Sequence, residues 1–468
     1  MRNRLLVLAA ALPLALAACV RTENRPPNIL LIVADTLRAD RLGSYGNREG
    51  LTPFLDEVAS TAIVFSNTYA QSSWTSSSIA SLFTSRYPSQ HHIISFTSKL
   101  ADDEITLATK LRALDYRTGG FSANLLLAPA LGYGQGFDSW QVYAADPKPR
   151  GDQVNREALR WVDTVWSAAT RQPVFLYLQY MEPHAPYAPP EPYRSQLQRL
   201  GDGSANPATA SQKLIDLRFA ELTTQEVDLL RSLYDAEVAA LDAQLRALFG
   251  ELGKRGFLDR CIVVITADHG EEFGEHGGMM HAFTLYNESI RVPLILRVPG
   301  YDKRVVTDNA SLVDLAPTLL DLLGLRPEPR FEGRSLVPLL AGKPLADGRV
   351  LSQLEADVIP DVRRARGIKE VPGDSRRHSA AFIAGSAKLL LSPAGATELY
   401  DLAHDPAEAT PNPPAAMSQS TNLLSGFHQT IAQLARRVSV PAQTAPLDDA
   451  AKERLRSLGY VGDSGERP

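Results

Sequence analysis

The stretch NILLIVADTLRAD, residues 28–40, decides how the rest of the chain is read. Asn28 to Val33 is an almost wholly apolar run, bounded by Pro27 and Asp35. A run this short fits a strand buried on both faces of a parallel sheet. Similar runs recur at PVFLYL (173–178), CIVVIT (261–266) and PLILRV (293–298), with helical patterns between them. The clearest helix spans 223–252. Thr223 with Glu226 three residues later is a capping-box pattern. Val227, Leu230, Tyr234, Val238, Leu241, Leu245, Leu248 and Leu252 then recur at helical spacing, and Gly253 and Gly256 end it. Strands alternating with helices of this length predict an α/β fold with a mainly parallel central sheet flanked by helices. From about residue 348 the segments shorten and turn residues separate them: SAAFIAG, AKLLLSPAG, TELYDLAHDP. That pattern predicts a smaller C-terminal α+β subdomain with antiparallel strands.

Composition narrows the class. The chain has 468 residues, of which 44% are hydrophobic and 22% charged, so disorder over most of its length is excluded. Lys and Arg number 48 against 53 Asp and Glu, a formal net charge of -5, which argues against a nucleic-acid partner. Two cysteines, Cys19 and Cys261, rule out a disulfide scaffold. Cys261 opens the apolar run CIVVIT and reads as a buried, inert thiol.

The N-terminus reads as an address. Arg2 and Arg4 precede an unbroken apolar stretch from Leu5 to Ala18, too short to cross a bilayer. It ends in Leu16-Ala17-Ala18-Cys19, which resembles the bacterial lipobox, whose cysteine is acylated. The expected organisation is a lipoprotein signal peptide over 1–18 and a tether over 19–27. A main catalytic domain follows over 28–347, with the smaller subdomain and tail over 348–468. The expected location is the bacterial cell envelope, lipid-anchored through Cys19. Val20, where an inner-membrane address would have Asp, favours the outer membrane facing the periplasm.

Four places carry residues suited to chemistry. In open α/β sheets ligands bind beyond the carboxyl ends of the strands. Asp35 follows the first strand, and Asp268-His269 follow CIVVITA. Two strand ends that deliver carboxylates and an imidazole predict one divalent cation, Mn, Mg, Ca or Zn. Read singly, Asp35 also suits a helix N-cap and Asp268-His269 a polar turn. QSSWTSSSIASLFTSRYPSQHH (71–92) is a hydroxyl-dense segment running into an apolar-periodic one. A helix beginning there would aim free N–H groups at an anion, although a Ser/Thr-rich cap on a surface helix has the same sequence. His184 lies between prolines in YMEPHAPYAPP (180–190), past another strand end. The segment GEEFGEHGGMMHAFTLYNESIRVPLIL (270–296), a Gly-rich loop leading into a strand, carries His276 and His281.

These segments, in this order, resemble the sulfatase-like branch of the alkaline phosphatase superfamily over about residues 26–345. PNILLIVADTLRADRLGSYG resembles that family's first strand and metal loop. EPHAPY, ITADHGEEFGEHG, LYNESIRVPLIL, TDNASLVDLAPTLLDLLG, ELYDLAHDPAE and the tail RLRSLGYVG (454–462) resemble later segments. SSIASLFTSRYP resembles the nucleophile helix, and counting back from Tyr87-Pro88 puts Thr75 at the nucleophile position. The departures are informative. A sulfatase oxidises Cys or Ser there to formylglycine, and Thr75, a secondary alcohol, cannot give that aldehyde. Ser77 and Ile79 replace the motif's Pro and Arg, and Asp35-Thr36 stands where the family has paired aspartates. The usual Lys-bearing segment is TGGFSANLLL (118–127) here.

The pattern resembles relatives with a Thr nucleophile. That resemblance implies a cation held by Asp35, Thr75, Asp268 and His269. It implies attack by Thr75 on a phosphoric or sulfuric ester, with His184 and His281 on the ester oxygens or the leaving group. Asn124 and His276 are further candidates for binding substrate. The expected partners are a small-molecule or lipid or glycan ester and, through the anchor, a membrane. Two alternatives stand beside this hydrolase: a phosphoethanolamine- or phosphoglycerol-type transferase, and an inactive lipid-anchored binding protein.

Overall fold

The four apolar runs read from the sequence lie side by side at the centre of one eight-stranded sheet. In the computed structural model its strands are β1 (Asn28–Ala34), β2 (Ile63–Tyr69), β3 (Arg117–Ser122), β4 (Ser139–Val142), β5 (Val174–Tyr180), β6 (Cys261–Ala267), β7 (Arg291–Arg297) and β8 (Arg304–Ser311). Their order is β8-β2-β7-β6-β1-β5-β3-β4. The structure describes residues 25–143, 150–167, 169, 172–197, 205–216, 219–345, 347–354, 378–413, 420–437, 441–446 and 449. The signal segment 1–18, Cys19 and the RLRSLGYVG tail lie outside them. Among the described residues no helix is long and apolar enough to cross a membrane.

Every residue of β1, β5 and β6 is buried. That is why these strands lack alternation: helices cover both faces of a parallel sheet. Strand β1 runs parallel to both neighbours, with Ala34 opposite Ala267 on one side and Tyr180 on the other. One strand departs from the parallel expectation. PLILRV belongs to β7, which is antiparallel to both β2 and β6 and shifts register between Val292 and Leu294, around Pro293. Proline has no N–H for the ladder, so a bulge is where it fits. Cys261 is buried as expected, and burial pushes its thiol up to about 12.

The sequence reading passed over β2, β3, β4 and β8. Their polar and glycine content hides the strand pattern. In β3 the glycines have a packing reason. A Cβ on Gly119 would lie 2.6 Å from the Trp161 ring, and one on Gly120 would lie 2.2 Å from the Trp140 ring.

The helices that matter here are α1 (Thr75–Thr84), α2 (Gly151–Val165), α3 (Thr224–Lys254) and α4 (Ser420–Arg436). Helix α3 begins as its sequence predicts. Glu226 N donates to Thr223 Oγ1 at 3.2 Å, and Thr223 N donates to Glu226 Oε2 at 2.9 Å. Its Asp242 reaches across to cap the helix Pro53–Ala59, accepting from Phe54 N and Leu55 N at 3.0 and 2.8 Å. Helix α1 is buried on every side, so it is an internal helix and not a surface one.

Strands β9 (Val350–Gln353), β10 (Ala380–Ala384), β11 (Ala387–Leu391) and β12 (Thr397–Asp401) form a second, antiparallel sheet. Alternation along these strands serves two cores. Ala381, Ile383, Leu390 and Tyr400 join the main core. Leu351, Phe382, Leu389 and Leu399 pack with Leu423 and Leu434 of α4 on the other face.

Candidate active site

The register of the central strands builds the site. Because Ala34 lies opposite Ala267, the next residues, Asp35 and Asp268, leave the sheet side by side at its carboxyl edge. Strand β3 ends nearby and delivers Asn124, and α1 points its first residue, Thr75, at the same place. Asp35, Thr75, Asn124, Asp268 and His269 are all fully buried.

Asp268 shows what the site is for. Its Oδ1 accepts from His269 N at 2.9 Å and from Thr36 N at 3.2 Å. The second of these depends on Thr36 taking a left-handed backbone conformation, φ 59°, which costs a β-branched residue energy. The Asp268 Oδ2 atom is buried with no hydrogen-bond partner. His269 lies against a carbonyl, its Nδ1 2.9 Å from Gly270 O, so Nδ1 carries the proton and Nε2 is left with a lone pair. That Nε2 is 3.2 Å from Thr75 Oγ1, 3.6 Å from Asp268 Oδ2 and 3.9 Å from Asp35 Oδ1. Thr75 Oγ1 is 3.5 Å from both Asp35 oxygens. Ser78, one turn along α1, donates to Asp268 O at 2.6 Å and ties the helix to the metal loop.

Two buried carboxylates facing an unprotonated imidazole are costly without a cation. Burial and the charge of Asp268 push the Asp35 carboxyl well up, while hydrogen bonds from Asn124 and Gln179 pull it back. Burial pushes the His269 imidazole down, against the pull of Asp268. Asp35, Asp268 and His269 offer ligand atoms that all lie within 4.8 Å of one another. Together with the orphaned Asp268 Oδ2, this donor set fits a divalent cation, as the sequence reading expected.

Two further histidines stand beside it. The His281 ring is 4.5 Å from His269 and 4.9 Å from His184. Glu271 orients His281, its Oε1 2.8 Å from Nδ1, and Tyr187 in turn donates to Glu271 Oε2 at 2.9 Å. His184 turns its Nδ1 to the carbonyl of Ala185, so its protonated nitrogen is occupied by the loop.

Asn124 and His276 are each held by neighbours in the fold. Asn124 turns to Asp35, and its Nδ2 also stands 3.5 Å from Thr75 Oγ1. Its Nδ2 donates to Asp35 Oδ2 at 2.5 Å while its Oδ1 accepts from Leu126 N. His276 does not join the cluster. It stacks on Tyr286 at 3.6 Å, with Nδ1 2.5 Å from Glu288 Oε1 and Nε2 3.1 Å from Glu408 O. It lines a separate cavity of about 630 Å³ with Arg38, Glu275 and Arg291. Its loop position was legible, but its direction depends on Glu408, more than a hundred residues away. The sequence reading did not single out Gln179, Glu271 or Ser78. Gln179 had a usable signal, since it is a polar residue at the end of a run that is otherwise buried and apolar.

Comparison with known proteins gives the family. The model of the protein family described as Sulfatase matches residues 27–325. An N-acetylglucosamine-6-O-sulfatase of Bacteroides thetaiotaomicron is 25% identical over 438 residues, covering 74% of this chain and 76% of that protein. A multifunctional alkaline phosphatase superfamily protein of Trinickia caryophylli is 26% identical over 417 residues, covering 70% of this chain and 80% of that one. Among solved structures, a phosphonate monoester hydrolase of Agrobacterium radiobacter superposes with a TM-score of 0.67 at 22% identity, covering 91% of this chain and 99% of that one.

Proposed function

The chain belongs to the sulfatase family and is an ester hydrolase, and from that premise we propose that it cleaves phosphoric or phosphonic esters with Thr75 as nucleophile. One observation carries this reading: Thr75 Oγ1 stands 3.2 Å from His269 Nε2 and 3.5 Å from Asp35, where the candidate ligands converge. A divalent cation held by Asp35, Asp268 and His269 would lower the pKa of the Thr75 hydroxyl and draw charge from the ester. Two carboxylates and an imidazole suit Mn or Zn better than Ca, which takes oxygen ligands.

Thr75 would lose its proton to water and form a bond to phosphorus as the P–O bond to the leaving group breaks. The departing oxygen takes its proton from Nε2 of His281, whose Nδ1 Glu271 holds, and His184 packs beside it. Water hydrolyses the threonyl ester and returns the hydroxyl. A threonine favours phosphorus over sulfur, because it cannot become the aldehyde through which sulfatases shed sulfate. The substrate we propose is a small-molecule or glycan ester, the second because named relatives act on sugar esters. We also propose that the chain is lipid-anchored through Cys19 in the bacterial cell envelope.

The test is hydrolysis of phosphate diesters, phosphonate monoesters and sulfate monoesters by the chain from residue 20 onward, with Mn, Zn, Mg and Ca in turn. Mn- or Zn-dependent turnover of the phosphorus esters is expected. Turnover of sulfate esters alone would overturn the phosphorus assignment and leave the family assignment standing.

A further inference from the structure

Strand β5 carries two polar side chains where burial leaves no room for idle ones. Tyr177 and Gln179 are both fully buried. As residues i and i+2 of a strand they share one face, with Gln179 opposite Val33 in register, two positions before Asp35. A buried amide without partners is costly, and an apolar residue would fill the space.

Both polar groups are aimed. The Tyr177 ring is caged between Phe83, edge-on at 4.9 Å, and Trp140, stacked at 5.7 Å. Its hydroxyl donates to Gln179 Oε1 at 2.6 Å. That bond decides which way the amide faces, and Gln179 Nε2 is left pointing at Asp35 Oδ2, 3.4 Å away. Flipping the amide would set its oxygen against a carboxylate. Asn124 works the same way from the other side: Leu126 N holds its oxygen, and its Nδ2 donates to the same Asp35 Oδ2. Two oriented amides therefore converge on one oxygen of Asp35. The other, Oδ1, faces His269 Nε2 at 3.9 Å.

We propose that Tyr177 and Gln179 form a positioning relay that commits Asp35 Oδ2 to the protein and presents Oδ1 alone to the cation. This rests on the cation site proposed above. Partners that orient a ligand in this way typically affect metal affinity about 10–100-fold. Tyr177 donates its hydrogen bond to Gln179 and not to Asp35, so the relay runs through Gln179.

The experiment is Mn²⁺ binding by calorimetry to the full chain and to Gln179→Leu, Tyr177→Phe and the double variant, with melting of the metal-free forms alongside. Gln179→Leu is expected to weaken Mn²⁺ about 10–100-fold. Tyr177→Phe, which keeps every ring contact, is expected to weaken it less, and the double variant is expected to match Gln179→Leu. A merely structural pair would lower the metal-free melting temperature and leave Mn²⁺ affinity unchanged, which overturns the proposal. So does a double variant that loses the Tyr177→Phe factor on top of the Gln179→Leu factor. If Gln179→Leu does not fold, unchanged Mn²⁺ affinity in Tyr177→Phe is enough to overturn it. A wild-type chain that binds no Mn²⁺ would instead remove the cation site and the relay together.

Discussion

Thr75 and Asp268 sit together but fail differently when changed. Thr75 contributes one oxygen at the head of a buried helix, so Thr75→Ser is expected to keep partial turnover. Thr75→Ala is expected to lose about 10⁴–10⁶ in kcat, as nucleophiles that act with an activating partner do. Mass spectrometry of a quenched reaction should find the substrate's phosphoryl group on the peptide containing Thr75. Near-normal turnover in Thr75→Ala would rule out the covalent route. Asp268→Asn is the sharper probe of the cation. Its remaining oxygen can still accept from Thr36 and His269, so the loop should hold. What it loses is charge at the orphaned oxygen. Cation affinity should fall by more than the roughly 10–100-fold that losing a supporting partner costs. Calorimetry that shows wild-type affinity would exclude Asp268 as a ligand.

Strand and helix obey opposite rules for glycine here, and the contrast can be measured. In β3, Gly120 makes room for Trp140, whose ring also braces Tyr177. Gly120→Ala should destabilise by about 1–3 kcal/mol, the usual cost of overpacking. In α3, Gly250 is exposed and a Cβ there would meet nothing within 4 Å. Gly250→Ala should stabilise by about 0.5–1 kcal/mol, because alanine loses less backbone freedom in a helix. Urea midpoints of the two variants should move in opposite directions. A shift of the same sign would mean that propensity, not packing, governs both elements.

At the scale of the molecule, the second sheet and the segment after it are fastened to the loop that carries the site histidines. Lys388 lies 2.7 Å from Glu408 and donates to Asn287 Oδ1 at 3.0 Å. Glu408 accepts from Asn287 N at 2.6 Å, and its carbonyl meets His276. Burial pulls the His276 imidazole down, but the hydrogen bond and charge of Glu288 outweigh it and raise it to about 9. In the unfolded chain a histidine titrates near 6.5. The pair's contribution to stability is therefore complete below about pH 6.5 and is lost as pH rises through about 9. The melting-temperature difference between wild type and His276→Gln should shrink across that window. Burial also lifts the nearby Glu272 carboxyl to about 8, and Glu272 is present in both chains. A difference that stays constant across the window would mean that His276 is held by stacking on Tyr286 rather than by charge.

The sequence alone determined the elements whose pattern is local. The runs of β1, β5 and β6 are apolar because both their faces are buried, and Thr223 with Glu226 marks the start of α3 through bonds made within one turn. It also placed Asp35, Asp268 and His269 at strand ends, since the residue after a buried strand must turn out of the sheet, while Thr75 followed from the resemblance of its segment to a nucleophile helix. It did not show β2, β3, β4 or β8, and the glycines of β3 make sense only against Trp140 and Trp161. Nor did it show where side chains point. Asn124 and His276 both read as substrate residues, yet one turns to Asp35 and the other to Glu288 and Glu408. Direction is set by partners brought together from distant parts of the chain, and no spacing along the sequence records them. For the same reason Tyr177 and Gln179 read as strand, and only the packed sheet reveals that their polar ends converge on Asp35.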